Sequence, residues 1–266
     1  MATLVCFHAH PDDEAIATGG LMAKAAAAGH RVVLVCGTRG EQGEPVEGVL
    51  KDGELLRDRR VTELARSCEI LGAEPPLFLD YEDSGMIGEP ENENPACFWQ
   101  ADHDEAVARF ATILREVDAD VVTIYDDHGG YGHPDHIRVH TVGLEATQVV
   151  GTKHVFESTM NRDAMREMLD QNRKDDGDIN VDFDEEEVAT FGTPRADLSF
   201  TIDVSDHIDQ KKQAIVAHAS QVAEDSFFLS MPNDIFQAAF GTEYFNIPGV
   251  TKTGGPTTVE LLPGLD

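Results

Sequence analysis

Apolar residues in this chain fall into short unbroken runs that alternate with longer stretches of helical period. Leu4-Val5-Cys6-Phe7 is the first run and predicts a strand. Residues 15–28 follow as an alanine-rich helix, with Leu21, Met22 and Ala26 at helical spacing and Gly29 as its stop. Arg31–Cys36 predicts a second strand, and its continuous apolar character implies burial on both faces. Residues 37–53 carry neither period and read as loop. Residues 54–71 predict an amphipathic helix with Leu55, Val61, Leu64 and Ile70 facing inward, closed by Gly72. Leu77-Phe78-Leu79 predicts a third strand, and a long polar segment then runs to about His103. A helix, a fourth strand over 120–125, a further helix to about Val149 and a strand over 154–158 follow.

This β-α-β-α order is the sequence form of an α/β protein with a doubly wound, mostly parallel sheet between helical layers. Residues 1–160 are expected to be the catalytic core. Residues 161–266 are expected as a C-terminal elaboration of the same single domain, with an edge strand over 198–204 and helices over 209–220 and 232–240. The stretch 175–187 holds eight acids and reads as a solvated loop. The apolar segment around residues 235–245 either packs internally or forms an interface, so the sequence leaves the oligomeric state open.

Two histidine clusters sit where predicted strands end and helices begin: His10-Pro11-Asp12-Asp13-Glu14 and His133-Pro134-Asp135-His136. Open α/β sheets build their sites at the carboxyl ends of strands. A spacing of three residues brings both side chains of each cluster to one side of its turn. Two imidazoles and a carboxylate hold a divalent cation while leaving positions open, as catalysis requires. Such a cation lowers the pKa of water from about 15.7 towards ~7 and polarises a carbonyl. Asp12, next to Asp13, is then the natural acceptor for the proton of the water. Between the clusters, Gly129, Gly130 and Gly132 suit a backbone that approaches a ligand closely. His8, His30, His103, His154 and His207 read as surface or packing residues.

Composition narrows the partners. Fifty acids against 20 bases give a net charge of −30, which would repel a phosphate backbone or an anionic bilayer. Nucleic acid and membrane are therefore excluded as partners, and a small molecule is expected. No apolar run reaches the ~18 residues of a membrane span, and the N-terminus lacks the basic region of a signal peptide. Four scattered cysteines without metal-site spacing, with Cys6 and Cys36 in apolar strands, fit a reducing cytoplasm. Only 7 of the 20 basic residues are lysine, and an acidic, lysine-poor surface suits concentrated salt, which screens self-repulsion. Stability is expected to rise when potassium chloride goes from millimolar to molar; a flat urea midpoint across that range would remove this reading.

The paired motifs resemble those of the PIG-L/LmbE-like zinc deacetylases. The resemblance extends to Thr38-Arg39-Gly40-Glu41, Arg60-x-x-Glu63, Asp83-Ser84-Gly85-Met86, Asn161-Arg162-Asp163 and His218-Ala219-Ser220-Gln221. It implies a Rossmann-like fold and hydrolysis of an N-acetyl group from an N-acetylglucosamine-containing small molecule. It further implies that His10, Asp13 and His136 bind Zn2+, or Fe2+ or another divalent cation in its place, and that Asp12 is the general base. By the same resemblance His133 would donate to the leaving amine or stabilise the oxyanion, Asp135 would orient and tune His133, and Tyr131 would polarise the acetyl carbonyl. Arg60 and Asp83 would contact substrate hydroxyls. A related amidase branch that cleaves thiol-sugar conjugates has lysine where this chain has Ala17, which favours the deacetylase. Two rivals of other classes stand beside it. Non-haem iron chemistry also uses two histidines and a carboxylate, but gives Asp12 and His133 no evident role. A non-catalytic sugar- or nucleotide-binding module would want glycines where the first turn has His-Pro-Asp-Asp.

Overall fold

In the computed structural model, which describes residues 1–174 and 188–265, one eight-stranded sheet organises the chain. Its first five strands are β1 (Thr3–His8), β2 (Arg31–Cys36), β3 (Leu77–Phe78), β4 (Val121–Tyr125) and β5 (His154–Thr159). They are joined through α1 (Asp13–Ala17), α2 (Gly19–Ala27), α3 (Leu56–Leu71), α4 (His103–Glu116), the short α5 (Gly129–Gly132) and α6 (Pro134–Val150). After α7 (Arg162–Lys174) come β6 (Phe200–Asp203), α8 (Ile208–Ala217), α9 (Asn233–Phe240), β7 (Thr242–Asn246) and β8 (Thr257–Val259). The spatial order is β3-β2-β1-β4-β5-β7-β6-β8, with β3 through β5 parallel and β7 antiparallel to both its neighbours.

The apolar runs are buried on both faces because successive side chains point to opposite layers. Leu4, Cys6, Val32 and Leu34 pack with Leu21, Leu64, Leu71 and Ile215 on one side. Val5, Phe7, Val33 and Val35 pack with Phe110, Leu114, Val139 and Val142 on the other. Chain direction across the sheet reverses between β1 and β4, whose carboxyl ends lie side by side. That is the switch point at which doubly wound sheets open a crevice. All four cysteines are buried and free, and among the described residues no helix is long and apolar enough to cross a membrane.

Three expectations are corrected. The single helix over 15–28 is two helices, α1 and α2, broken at Thr18, whose hydroxyl bonds His8 Nε2 at 2.8 Å. The restart is held from far away: Glu243 on β7 accepts the amides of Gly20 and Leu21, each at 2.8 Å, placing an anion at the positive end of α2. The segment within 198–204 is interior, since β6 lies between β7 and β8 and the edge belongs to β8. In α3 the inward face is not that of Leu55, which is 53% exposed ahead of the first turn; Val61 and Ile70 are only partly covered. Arg60, Glu63, Leu64, Ser67, Cys68 and Leu71 are the buried positions. The acidic stretch 175–187 lies outside the described residues.

Lys211 on α8 meets Glu243 at 2.6 Å with both side chains almost fully buried. Removing one partner of such a pair strands the other charge in a dry interior. Lys211→Met is therefore expected to cost about 3–5 kcal/mol, read from the urea midpoint at constant m-value.

Glu157 on β5 is 9% exposed and lies 3.5 Å from His140 on α6. Burial, with Asp126 and Asp127 adding negative charge and His128 opposing them, pushes its carboxyl up to about 7. Below pH ~4.5 it is protonated in folded and unfolded chains alike and contributes no pH dependence. From there to about 7 the folded chain keeps a proton that the unfolded chain releases. Stability therefore falls as pH rises through that window, by a total on the order of 3 kcal/mol. Glu157→Gln is expected to flatten this slope in urea unfolding measured between pH 4.5 and 8.

Candidate metal centre

The first motif leaves β1 at His8 and turns into α1 at Asp13. The turn is tight because Asp12 adopts φ 113°, ψ −32°, a conformation that non-glycine residues avoid and that costs about 1–3 kcal/mol unless its surroundings enforce it. The second motif leaves β4 through α5, where Gly130 breaks the helix at φ 75°, ψ −60°, and Pro134 starts α6 with His133 as N-cap. Gly129 is required at its position: a Cβ there would stand 2.6 Å from that of His136. Both clusters thus arrive at one crevice from adjacent parallel strands.

Asp13 Oδ2 lies between two imidazoles, 3.5 Å from His10 Nδ1 and 3.4 Å from His136 Nε2. Zinc–ligand bonds of about 2.0–2.2 Å in a tetrahedron give ligand–ligand edges of roughly 3.3–3.6 Å, and both contacts of Asp13 match that length. Donor atoms of His10, His133 and His136 also lie within 4.8 Å of one another. A second group, His10, Asp83, His133 and Asp135, meets the same criterion through the other side of His10. Its carboxylates are already committed. Asp135 accepts the backbone amide of Ser84 at 2.9 Å and the Ser84 hydroxyl, while Asp83 accepts Gly85 N at 3.0 Å and Gln42 N at 3.2 Å. They face His10 Nε2, Asp135 at 3.2 Å and Asp83 at 3.4 Å, as carboxylates do behind a ligating histidine.

Electrostatics follow from this crowding. Burial alone would lower the His10 pKa, but Asp83, Asp13 and Asp135 hold it well above the usual range. Burial would raise Asp13, and the His136 and His10 imidazoles instead hold it well below. Asp12 is raised, by burial first and then by Asp13, with the Arg60 guanidinium opposing. His133 is pushed down to about 3 by burial and by His10 and His136. A neutral His133 accepts the Asp135 amide on Nδ1 at 3.1 Å, so its proton sits on Nε2.

The structure places the remaining sequence-derived residues as follows. Tyr131 has an exposed ring, while its hydroxyl turns inward to His136 Nε2 at 3.3 Å and burial keeps it protonated. The Asp135 carboxylate bonds Ser84 and His10; its link to His133 runs through its backbone amide, so the expected carboxylate–imidazole pairing is replaced by one with His10. Arg60, expected at substrate hydroxyls, is buried and donates from Nη1 to Gly40 O at 2.7 Å and from Nη2 to Pro11 O at 2.5 Å and Asp12 Oδ2 at 3.0 Å, leaving Nε without a partner. It clamps the turn, because its neighbours on that side are backbone carbonyls and a carboxylate that need a donor. Asp83 is buried beside His10, whose charge holds its carboxyl low although burial pushes the other way.

Residue-by-residue reading left Glu14, Glu63, Ser67, Ser84, His218 and Ser220 without roles, yet all are buried around the two motifs. The available signal was the spacing of Arg60, Glu63 and Ser67 at i, i+3 and i+7, a polar stripe on one face of α3.

Known proteins resemble this chain along most of its length. The family model PIG-L, described as GlcNAc-PI de-N-acetylase, matches residues 5–147. The 1D-myo-inositol 2-acetamido-2-deoxy-alpha-D-glucopyranoside deacetylase of Thermobifida fusca is 40% identical over 265 residues, covering 92% of each chain. The protein of the same name from Acidothermus cellulolyticus is 41% identical over 257 residues, 91% of this chain and 87% of its own. Among solved structures, the N,N'-diacetylchitobiose deacetylase of Pyrococcus horikoshii superposes with a TM-score of 0.58 at 20% identity, covering 93% of this chain and 84% of that one. The family match takes in both histidine motifs and the strands that deliver them, and relatives of this closeness run nearly end to end: the chain belongs to the PIG-L family.

Proposed function

We propose that this protein is a metal-dependent N-deacetylase whose substrate is 1D-myo-inositol 2-acetamido-2-deoxy-α-D-glucopyranoside or a close N-acetylglucosaminide. The observation that carries the reading is Asp13 seated between His10 and His136 with Asp12 clamped beside it. In this reading His10 through Nδ1, Asp13 and His136 through Nε2 hold one divalent cation, zinc by preference for this N/O donor set. The bound cation supplies Lewis acidity, acidifying water and polarising the acetyl carbonyl.

The chain's own groups do the rest. Asp12 accepts a proton from the attacking water, and burial, which raises its pKa, makes it a stronger base than an exposed carboxylate. Water oxygen bonds to the acetyl carbon, the C–N bond breaks, and the proton taken by Asp12 leaves on the departing amine, giving acetate and a free glucosamine. His133, neutral with its proton on Nε2, suits donation to the oxyanion better than full proton delivery, which favours the second of its two expected roles. The Tyr131 hydroxyl, protonated and turned towards His136, is a second donor for that oxygen. Asp83 and Asp135 keep the proton of His10 on Nε2, leaving Nδ1 free to ligate. Four unpaired cysteines favour a reducing cytoplasm as the setting.

The deciding experiment is a panel of N-acetylated glucosaminides assayed for released acetate by zinc-loaded protein, with and without a chelator. The inositol glucosaminide is expected to be turned over best and the chelator to abolish turnover. Stoichiometric metal with no acetate from any member would overturn the reading. Iron as the bound metal together with oxygen consumption would move it to a different reaction class.

A further inference from the structure

Asp12 needs support that its own turn does not provide. Its φ of 113° is a conformation that few non-glycine residues adopt. Arg60 holds its carboxylate, but the backbone amide on the other side of the residue is held by Glu14, whose Oε2 accepts Asp12 N at 2.9 Å. The other oxygen of Glu14 accepts from His218 Nε2 at 2.7 Å and from the Ser67 hydroxyl at 2.5 Å. Glu14, Ser67 and His218 are wholly buried. His218 ends α8, and the loop behind it is itself tied down, with Ser220 donating its amide at 3.0 Å and its hydroxyl at 2.6 Å to Glu63. A chain of bonds therefore runs from α8 and the polar stripe of α3 to a single amide, that of Asp12.

We propose that the buried Glu14–His218 pair is a positioning device for Asp12, holding its backbone so that the carboxylate stays aimed at the proton it takes. The inference rests on the reading of Asp12 as general base. A buried hydrogen-bonded polar pair is a poor way to stabilise a fold, because apolar side chains of similar size serve as well or better. Its placement against the one strained residue of the site gives it a different use. Glu14 and His218 touch neither the reacting atoms nor the metal ligands' donor atoms and act through Asp12.

The test uses the full chain and His218→Leu, which keeps bulk and removes the donor. kcat for acetate release is expected to fall roughly tenfold to a hundredfold, as a misaimed catalytic group costs, with KM and zinc per chain unchanged. In the Asp12→Asn background the same substitution should cost less than about twofold, because a residue acting through Asp12 has nothing left to act on. His218→Gln, which retains an N–H for Glu14, should recover most of the loss. Amide exchange read by NMR on metal-free, 15N-labelled protein should speed up at Asp12 without a matching change across the core. An equal loss in the two backgrounds, a loss of zinc, or an unchanged Asp12 amide would overturn the proposal. If His218→Leu does not fold, Ser67→Ala removes one donor to Glu14 with little change in volume and is read by the same four measurements. The exchange measurement needs no substrate, so a wild type that releases no acetate would sink the deacetylase reading and, with it, the aim of the carboxylate, while exchange would still decide whether the pair holds the Asp12 amide.

Discussion

Asp12→Asn is expected to keep its full complement of zinc and to lose at least about 10²-fold in kcat, the usual contribution of a general base. The substitution is nearly isosteric. An asparagine carbonyl still accepts from Arg60, whose guanidinium stands 3.0 Å from the present carboxylate, and the backbone amide still reaches Glu14. What disappears is the ability to take a proton. The side chain is only partly covered, yet the burial it has raises its carboxyl, which strengthens it as a base. Metal analysis by mass spectrometry alongside steady-state assay separates the two effects. A fully active Asp12→Asn enzyme would place the base elsewhere, with His133 next in line by position.

His136→Ala is expected to lose metal and activity together, falling to the level of chelator-treated wild type. His136 lies flat against Tyr125, with ring centroids 4.2 Å apart and planes within 7°, so its Nε2 is held where Asp13 Oδ2 can share an ion with it. Alanine removes one of the three proposed ligands and also opens a cavity behind the ring. Zinc per chain should drop well below one, and added zinc should not restore turnover. Circular dichroism and a thermal midpoint distinguish a folded, metal-free protein from a collapsed one. Retention of one zinc per chain by His136→Ala would shift the site to the His10, Asp83, His133 and Asp135 group. The two variants thus part the chemistry from the metal.

Much of the architecture was readable from residue patterns, for local reasons. The runs over Leu4 to Phe7 and Arg31–Cys36 became central parallel strands because β-branched and apolar residues without polar alternation can only sit between two covered faces. Gly72 and Gly151 end α3 and α6 in left-handed conformation, the position for which glycine is preferred. Pro134 opens α6 as its missing N–H allows. Where the reading missed, the cause lay far along the chain. Thr18 broke a helix because His8 and Glu243 were present to take up its bonds and restart it. Half of the inward face of α3 turned out polar, Arg60, Glu63 and Ser67 beside Leu64, Cys68 and Leu71, because the Asp12 turn and the loop after α8 needed its donors and acceptors. The strand within 198–204 was read as an edge because β7 and β8, which flank it, carry weak signals of their own.

From residue order alone came the α/β class, the two metal motifs and their place at strand ends, since those depend on short-range periodicity and on side-chain chemistry within six residues. Tertiary structure alone decided that the motifs meet around Asp13, which nitrogen of His10 faces it, and that Asp135 answers to Ser84 and His10. It also decided that Arg60, Glu14 and His218 surround the Asp12 turn from three separate helices or helix ends. The Arg60–Asp12 and His218–Glu14 contacts span 48 and 204 positions of sequence. No local pattern encodes them, because their geometry is set by how the sheet twists and where its helical layers come to rest.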